Sequence, residues 1–455
     1  MEQKQSNQKG GYLIGVVSLG CDKNRVDTET MMTYLHEDKR FEFTHDPSVA
    51  DIIIINTCAF IQSARDESQD TIKEMIDYRR NGSCKCLVVT GCYPQKYLKD
   101  LTNKFPQVDV FLGTNEYSNI VDIISEYLQK EDDEQIIKTD SPHCLHEVKK
   151  TRLITTPSHY AYLKIADGCD NFCSYCTIPY IRGRFRSQKI ETLVKEAKDL
   201  VEAGAKEIIL VAQDTAKYGM DIYGEPKLHE LLSKLSKING LEWIRLLYCY
   251  PESITDELIR EIATNGKVCK YIDVPFQHIS DKILTKMNRK VNKEQIISLV
   301  EKLRIECPQI VIRTTFIVGF PQETKVEFKE LLNFLKETKL ENVGFFSYSR
   351  EDGTVAARFD GQVDEITKHR RLLKAFGVQK KIIANFNKSL IGTDQQVIIE
   401  GYDDKKGLFV GRTQFQAPEI DTITYVSATK NLCLGDIITT TIVKAKGYYL
   451  FGVSE

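Results

Sequence analysis

The sequence lacks an excess of either charge: 62 Lys and Arg stand against 64 Asp and Glu in 455 residues, a formal net charge of -2. No global positive field is available to draw in nucleic acid, so any such contact has to be local. Long hydrophobic runs are missing too. No apolar stretch approaches the ~20 residues that span a bilayer, and the opening MEQKQSNQKGGY has no apolar core behind a basic start. On sequence grounds the expectation is a cytoplasmic protein with neither a spanning helix nor a secretory leader and with no membrane partner. What the chain does have is cysteine, 13 residues in all. In a reducing compartment thiols stay free, so these residues argue for metal binding or catalysis rather than a disulfide framework. The length, with 42% hydrophobic residues to fill cores, suits roughly three domains.

The pattern along the chain is α/β multidomain. Residues 11–130 alternate β-rich runs (YLIGVVSLGC, DIIIINTCAF, CKCLVVTGC, VDVFLGT) with amphipathic stretches, which predicts a small domain with a parallel sheet. Residues 131–158 lose that rhythm and read as a linker. Residues 159–388 carry a second βα series, with strands expected at AYLKIADG, EIILVAQD, WIRLLYCYP, YIDVPFQH, IVIRTTFIVGF and NVGFFSYS. Six βα units predict an open or partial barrel, since eight close a full one. Residues 389–455 switch to short strands with Gly and Asp turns, which predicts a small antiparallel β-barrel.

Two sets of cysteines carry the chemistry. In GCDNFCSYCTIPYIRGR, Cys169, Cys173 and Cys176 have the spacing Cys-x3-Cys-x2-Cys directly after the first strand of the second series. A loop at the carboxyl end of a strand is where βα folds place reactive groups. Three such thiolates can hold three irons of a 4Fe-4S cluster and leave the fourth open to a small molecule. Zinc is the competing metal, but it needs a fourth nearby ligand, and in the next 70 residues only His229 is on offer. Cys21, Cys58 and Cys92 share a different context: each follows the carboxyl end of an expected parallel strand, in VVSLGC, IIIINTC and LVVTGC. Such ends lie along one sheet edge, so these thiols can converge into a second site; the plainer alternative is small buried residues near turns. Cys84, Cys86, Cys144, Cys269, Cys307 and Cys433 have no metal-like context, and Cys249 reads as a buried inert thiol.

Around the expected barrel mouth, Gln213, Asp214, Gln277, Arg313 and Gly319 fall at or near successive strand ends and are candidates for lining a ligand cavity. Helix capping explains Asp214 and Gln277 equally well, and His278 is as readily structural as catalytic. In YIRGRFRSQK, the residues Arg182, Arg184, Arg186 and Lys189 form either a solvated loop or an anchor for carboxylate or phosphate.

The Cys-x3-Cys-x2-Cys loop resembles that of the radical S-adenosylmethionine superfamily. Over about residues 11–455 the chain resembles the methylthiotransferases, which join a three-cysteine domain, a radical barrel and a terminal TRAM domain. Within them it is most similar to the branch acting on ribosomal protein uS12, through VSLGCDKNRVDTE, INTCAFIQSARDES, VTGCYPQKY, LKIADGCDNFCSYCTIPYIRG, YIDVPFQHISDKILTKMNR and GRTQFQAPEID. Asp22 and Thr422 depart from that pattern, where a proline and a glycine are expected.

The resemblance implies methylthiolation of the β-carbon of a uS12 aspartate, using two molecules of S-adenosylmethionine. One methylates a sulfur at the auxiliary cluster, and the other yields the radical that takes hydrogen from the substrate carbon. Carried over, Cys169, Cys173 and Cys176 hold the radical-generating 4Fe-4S cluster and Cys21, Cys58 and Cys92 the auxiliary one. A flavodoxin or ferredoxin is the implied electron donor. The rival branch modifies an adenosine in transfer RNA, and a non-catalytic iron-sulfur scaffold is a third possibility. From Ser389 onward six basic residues face eight acidic ones, a poor phosphate binder but a plausible surface for a basic ribosomal protein. Glu419 and Asp421 are the docking candidates.

Overall fold

The computed structural model describes residues 11–132, 134–140, 142 and 151–454. Cys144 and the opening ten residues lie outside the described residues. The chain forms two compact units. The first holds the described residues up to Thr155 together with 167–170 and 177–185; the second holds 156–166, 171–176 and 186 onward.

In the first unit the Val/Ile runs become strands because β-branched side chains suit a pleated, doubly covered surface. Its elements are β1 (Tyr12–Ser18), α1 (Asp22–Glu37), β2 (Phe41–Thr44), β3 (Ile52–Thr57), α2 (Gln62–Asn81), β4 (Cys86–Gly91), α3 (Cys92–Lys104), β5 (Val110–Leu112), α4 (Ile120–Gln129) and β6 (Ile136–Lys138). The sheet is wholly parallel, in the order β2-β1-β3-β4-β5-β6. Alternate residues face opposite sides. Ile53, Ile55, Leu87 and Val89 pack with Ile72, Met75 and Ile76 of α2 and Leu101 of α3, while Ile52, Ile54 and Val88 pack with Met31 and Leu35 of α1 and Ile120 and Ile124 of α4.

Two strands escape the sequence pattern. β2 is four residues long, and β6 falls inside the stretch read as linker. Residues 152–155 are also fastened down: Glu29 on α1 accepts from the Thr155 amide at 2.7 Å and from the Arg152 guanidinium, and the Leu153 amide donates to Thr33 at 2.9 Å.

In the second unit six parallel strands lie side by side in chain order, Tyr160–Lys164, Glu207–Val211, Trp243–Leu246, Val268–Asp273, Val311–Val318 and Asn342–Ser347. These are the six expected βα strands, forming an open sheet rather than a closed ring. Helices separate them, with capping boxes at Asn292/Gln295 and Thr324/Glu327 fixing two helix starts. The 25-residue helix Glu365–Ser389 leads into a closed five-stranded barrel. That barrel is antiparallel except where Thr424–Ala428 pairs in parallel with Tyr449–Ser454.

A buried ion network ties the barrel to the parallel sheet inside the second unit. Glu207, at the start of its strand, accepts from Arg245 and from Arg412, each at 2.6 Å, and Arg412 also donates to Glu400 at 2.8 Å.

Candidate metal centres

In the first unit the parallel register brings the carboxyl ends of β1, β3 and β4 to one edge: Ser18 lies opposite Asn56, and Thr57 opposite Gly91. Cys21 is the N-cap of α1, Cys58 follows β3, and Cys92 opens α3. Exposure falls along the set, from exposed Cys21 through half-buried Cys58 to buried Cys92. Two glycines let the loops close. Gly20 has φ +91°, and a Cβ there would stand 2.8 Å from the Cys58 Cβ; Gly91 has φ +99°, and a Cβ there would stand 2.2 Å from the Asn56 side-chain oxygen. Neither place admits a side chain.

A polar frame underlies the three thiols. Asn24 donates through Nδ2 to the Leu19 carbonyl at 2.8 Å and to the Thr57 carbonyl at 3.1 Å, stitching the β1 and β3 loops together. Its Oδ1 accepts from Arg182 Nη2 at 2.6 Å and from the Cys92 thiol at 3.7 Å. Arg182 is 2% exposed; it bonds Asp27 and Asp167 through Nη1, and Nη2 lies 3.4 Å from Cys92 Sγ. Arg182 is therefore not part of a solvated loop. Arg184 is exposed and reaches Asp170 at 3.5 Å, whereas Arg186 is half-buried and Lys189 exposed.

Burial pushes the Cys92 thiol up to about 12, with Arg182 pulling against it and the Cys58 and Cys21 thiols adding to the rise. Burial likewise raises Cys58. The three thiols are thus within electrostatic reach of one another, and the setting of Cys58 and Cys92 disfavours their thiolates unless a cation is present. Iron reverses that penalty, because a coordinating thiol is deprotonated outright. Among the described residues no three His, Cys, Asp or Glu side chains converge on a single ion. A cluster asks for something different, since each thiolate takes its own iron and the donors must surround a larger body. Three sulfur donors along one sheet edge and a charge-compensating guanidinium beside Cys92 suit such a body.

The eight residues from Cys169 to Cys176 divide between the units. In the first, Cys169 is 5% exposed and its amide donates to the Gly183 carbonyl at 3.1 Å. In the second, Cys173 is buried and Cys176 half-buried, with the Cys176 amide donating to the Cys173 carbonyl at 3.0 Å. Arg289 stands 3.8 Å from Cys173 Sγ, with its guanidinium over the Tyr250 ring at 4.2 Å. Ser174 anchors the loop by donating its amide to the Met287 carbonyl at 3.0 Å and its hydroxyl to the Lys286 carbonyl at 2.7 Å.

The expected cavity residues separate into groups. Asp214 is fully buried and accepts from Asn171 at 3.3 Å and Ser253 at 3.1 Å; burial pushes its carboxyl up to about 6. It lies at the cysteine loop, with Gln213 beside it in sequence. Gln277 has φ +71° and bridges to the neighbouring strand at Phe316. Gly319 has φ +72°; its amide donates to Glu323, and a Cβ would meet the Lys368 side chain at 2.4 Å.

Arg313 does not join them. It bonds Asp273 at 2.9 Å and approaches Asp421 at 3.6 Å, so its charge is compensated within the chain. Asp421 also accepts from Tyr271 at 2.7 Å and from the Ala417 amide at 2.9 Å, which leaves it a joint between the barrel and the sheet rather than a free docking group. Glu419 is exposed, with Tyr160 donating to it at 3.3 Å. His278 is buried, accepts the Ser280 amide at Nδ1, and is pushed down to about 3 by burial, so it stays neutral.

Sequence reasoning missed Asn24, Asp27 and Arg289. The first two had a signal: α1 buries Asn24, Asp27, Thr28, Glu29 and Thr33. So polar a helix next to a strand needs polar partners.

Three families match the chain: the radical SAM superfamily over residues 163–335, the uncharacterized protein family UPF0004 over 14–113, and the TRAM domain over 391–454. Among curated relatives, a Clostridium botulinum protein named ribosomal protein uS12 methylthiotransferase RimO is 48% identical over 444 residues, covering 98% of each chain. A Desulforamulus reducens protein of the same name is 46% identical over 440 residues, covering 96% of this chain and 98% of the relative. A Clostridium perfringens protein, also so named, is 48% identical over 415 residues, covering 91% and 92%. Among solved structures, the radical S-adenosylmethionine methyltransferase TsrM from Kitasatospora setae superposes with a TM-score of 0.58 at 14% identity, over 85% of this chain and 80% of that one. The cobalamin-dependent S-adenosylmethionine radical enzyme OxsB gives 0.51 at 15% identity, over 81% and 56%. At such identities the structures speak to fold alone.

Proposed function

We propose a reaction for this chain from one premise: it belongs to the family of ribosomal protein uS12 methylthiotransferases. The chain is a radical S-adenosylmethionine enzyme that places a methylthio group on the β-carbon of an aspartate of uS12. The observation that supports the reading, beside family membership, is the placement of Cys21, Cys58 and Cys92 at strand ends along one sheet edge, with a buried guanidinium beside Cys92. Cys169, Cys173 and Cys176 would hold one 4Fe-4S cluster, and Cys21, Cys58 and Cys92 the other. When bound, the clusters and S-adenosylmethionine supply one-electron chemistry that replaces an unactivated carbon–hydrogen bond with a carbon–sulfur bond, which side chains have no acid–base route to do.

The chain's own residues position and insulate. Arg182 holds compensating charge beside Cys92, Arg289 does the same beside Cys173, and Asp214 fixes Asn171 of the cysteine loop. Gln213, Gln277 and Gly319 are the remaining candidates for the S-adenosylmethionine pocket. We assign the auxiliary centre to residues 11–130, the radical core to 159–388 and substrate capture to the barrel from 389, with Glu419 as its docking acid. A reduced flavodoxin or ferredoxin serves as electron donor, the setting is the cytoplasm, and transfer RNA is not the substrate. The excess of acids over bases in the barrel supports the last point.

Two variants test the division of labour in anaerobically reconstituted protein. Cys169→Ala abolishes both 5'-deoxyadenosine formation and methylthio product. Cys58→Ala keeps 5'-deoxyadenosine formation and loses the product; methylthiolated uS12 from that variant removes the second set from the mechanism.

A further inference from the structure

One face of the second unit departs from the near-neutral balance of the chain. Helix Glu365–Ser389 contains Lys368, Arg370, Arg371, Lys374, Lys380, Lys381 and Lys388 against a single acid, Glu365. Two of these cations are used internally: Lys368 pairs with Glu365 at 2.7 Å and Arg371 with Glu323 at 3.1 Å. Lys374, Lys380, Lys381 and Lys388 are exposed, and no ion pair involves them among the described residues.

Beside this helix runs a groove of about 930 Å³, lined by Lys336, Lys339, Lys374, Lys381, Arg304 and Glu337 among others. Arg304 pairs with Glu341 at 3.0 Å and donates to the carbonyls of Thr338 at 2.6 Å and Lys339 at 3.4 Å. The carbonyl end of helix Lys325–Thr338, which would repel an anion, is thereby capped. Four lysines are left facing one carboxylate, Glu337. Gly377 lies in the groove with nothing within 4 Å of where a Cβ would stand, so a ligand backbone can come close. Leu373 and Phe376, 58% and 39% exposed, stand among the lysines.

The spacing selects the kind of ligand. Lys374, Lys381 and Lys388 recur every seven residues, so they form one stripe with about 10.5 Å between neighbours. A compact anion needs cations converging on one point, whereas separate charges along a stripe match a polymer with regularly repeated phosphates.

We propose that the groove between helices Lys325–Thr338 and Glu365–Ser389 is a docking track for the sugar–phosphate backbone of structured RNA. This rests on the reading of uS12 as substrate, because a ribosomal protein reaches the enzyme either free or on an RNA-containing particle. The track engages the particle and leaves chemistry on the protein to the rest of the chain. Contacts to the backbone position without reading sequence.

The test uses the reconstituted full chain, a fluorescent RNA hairpin, vesicles of anionic lipid and a polyglutamate peptide. The variant Lys336→Gln/Lys374→Gln/Lys381→Gln is set beside Lys195→Gln/Lys198→Gln, which removes exposed charge from a different helix. The parent is expected to bind the hairpin with a steep salt dependence. The triple variant binds about tenfold more weakly, with the logarithmic salt slope smaller by about 3, and the control is unchanged. The triple variant also keeps the parental rate on free uS12 and loses rate on assembled small subunits. Hairpin binding that is absent, insensitive to the triple substitution, or weaker than binding to vesicles or polyglutamate overturns the proposal. If the parent modifies neither free nor assembled uS12, the functional reading fails, while hairpin binding still decides the track.

Discussion

Replacing Arg182 with Met removes the guanidinium bonded to Asp27, whose side chain is as buried as that of its partner at 2% exposure. Breaking a buried pair by removing one member costs about 3–5 kcal/mol, because the other charge stays out of water. Met restores apolar contact in the vacated space, so the low end, about 3 kcal/mol, is expected. At 1.4 kcal/mol per decade this is about a hundredfold in the local opening equilibrium. Hydrogen exchange followed by mass spectrometry reads it directly in peptides covering β1, β3 and β4, whose loops Asn24 and Arg182 join. Adding Asp27→Asn removes the stranded carboxylate and recovers part of the loss, so the two substitutions are non-additive. Exchange in those peptides within threefold of the parent, or simple additivity with Asp27→Asn, refutes the reasoning.

Gly20→Ala puts a Cβ 2.8 Å from that of Cys58 at a φ of +91°, so the Cys58 loop has to shift. The reconstituted variant loses iron at the auxiliary set while 5'-deoxyadenosine formation persists; full iron content contradicts the proposed geometry. Glu207 offers a pH test. Burial raises its carboxyl, but Arg412 and Arg245 more than offset this and hold it at about 2, below the ordinary 4.5. A depressed folded value contributes stability that is present above about pH 4.5 and is lost as pH falls toward 2, here about 3 kcal/mol. Trp243 is the one tryptophan in the chain and lies opposite Glu207 in the sheet register, so its fluorescence in urea melts at pH 5 and pH 3 follows the loss. Glu207→Gln is less stable at pH 5 and removes this part of the pH dependence; an unchanged dependence argues that other groups carry it.

Much of this was legible because hydrophobic runs end in a cysteine three times in the first unit, and parallel order follows from alternation of strand and helix. The placement of Cys21, Cys58 and Cys92 at successive strand ends along one edge needed only the rule that parallel strands share an edge. Arg182 was ambiguous because its partner Asp27 lies 155 residues away, a distance no local pattern spans. Asp421, one of the two docking candidates, misled for a related reason. A charge count treats Glu419 and Asp421 alike, yet Asp421 turns inward to Tyr271 and Arg313 while Glu419 stays exposed. Strand β6 was hidden because three residues after an acidic stretch carry too little periodicity to register.

The measurement that bears most directly on the central claim is mass spectrometry of two substrates, uS12 and transfer RNA, each incubated with the reconstituted chain, S-adenosylmethionine and a reductant. A methylthio mass increase located on an aspartate of uS12, with transfer RNA unchanged, is the predicted result. The same increase on transfer RNA alone contradicts the substrate, and no increase on either contradicts the reaction.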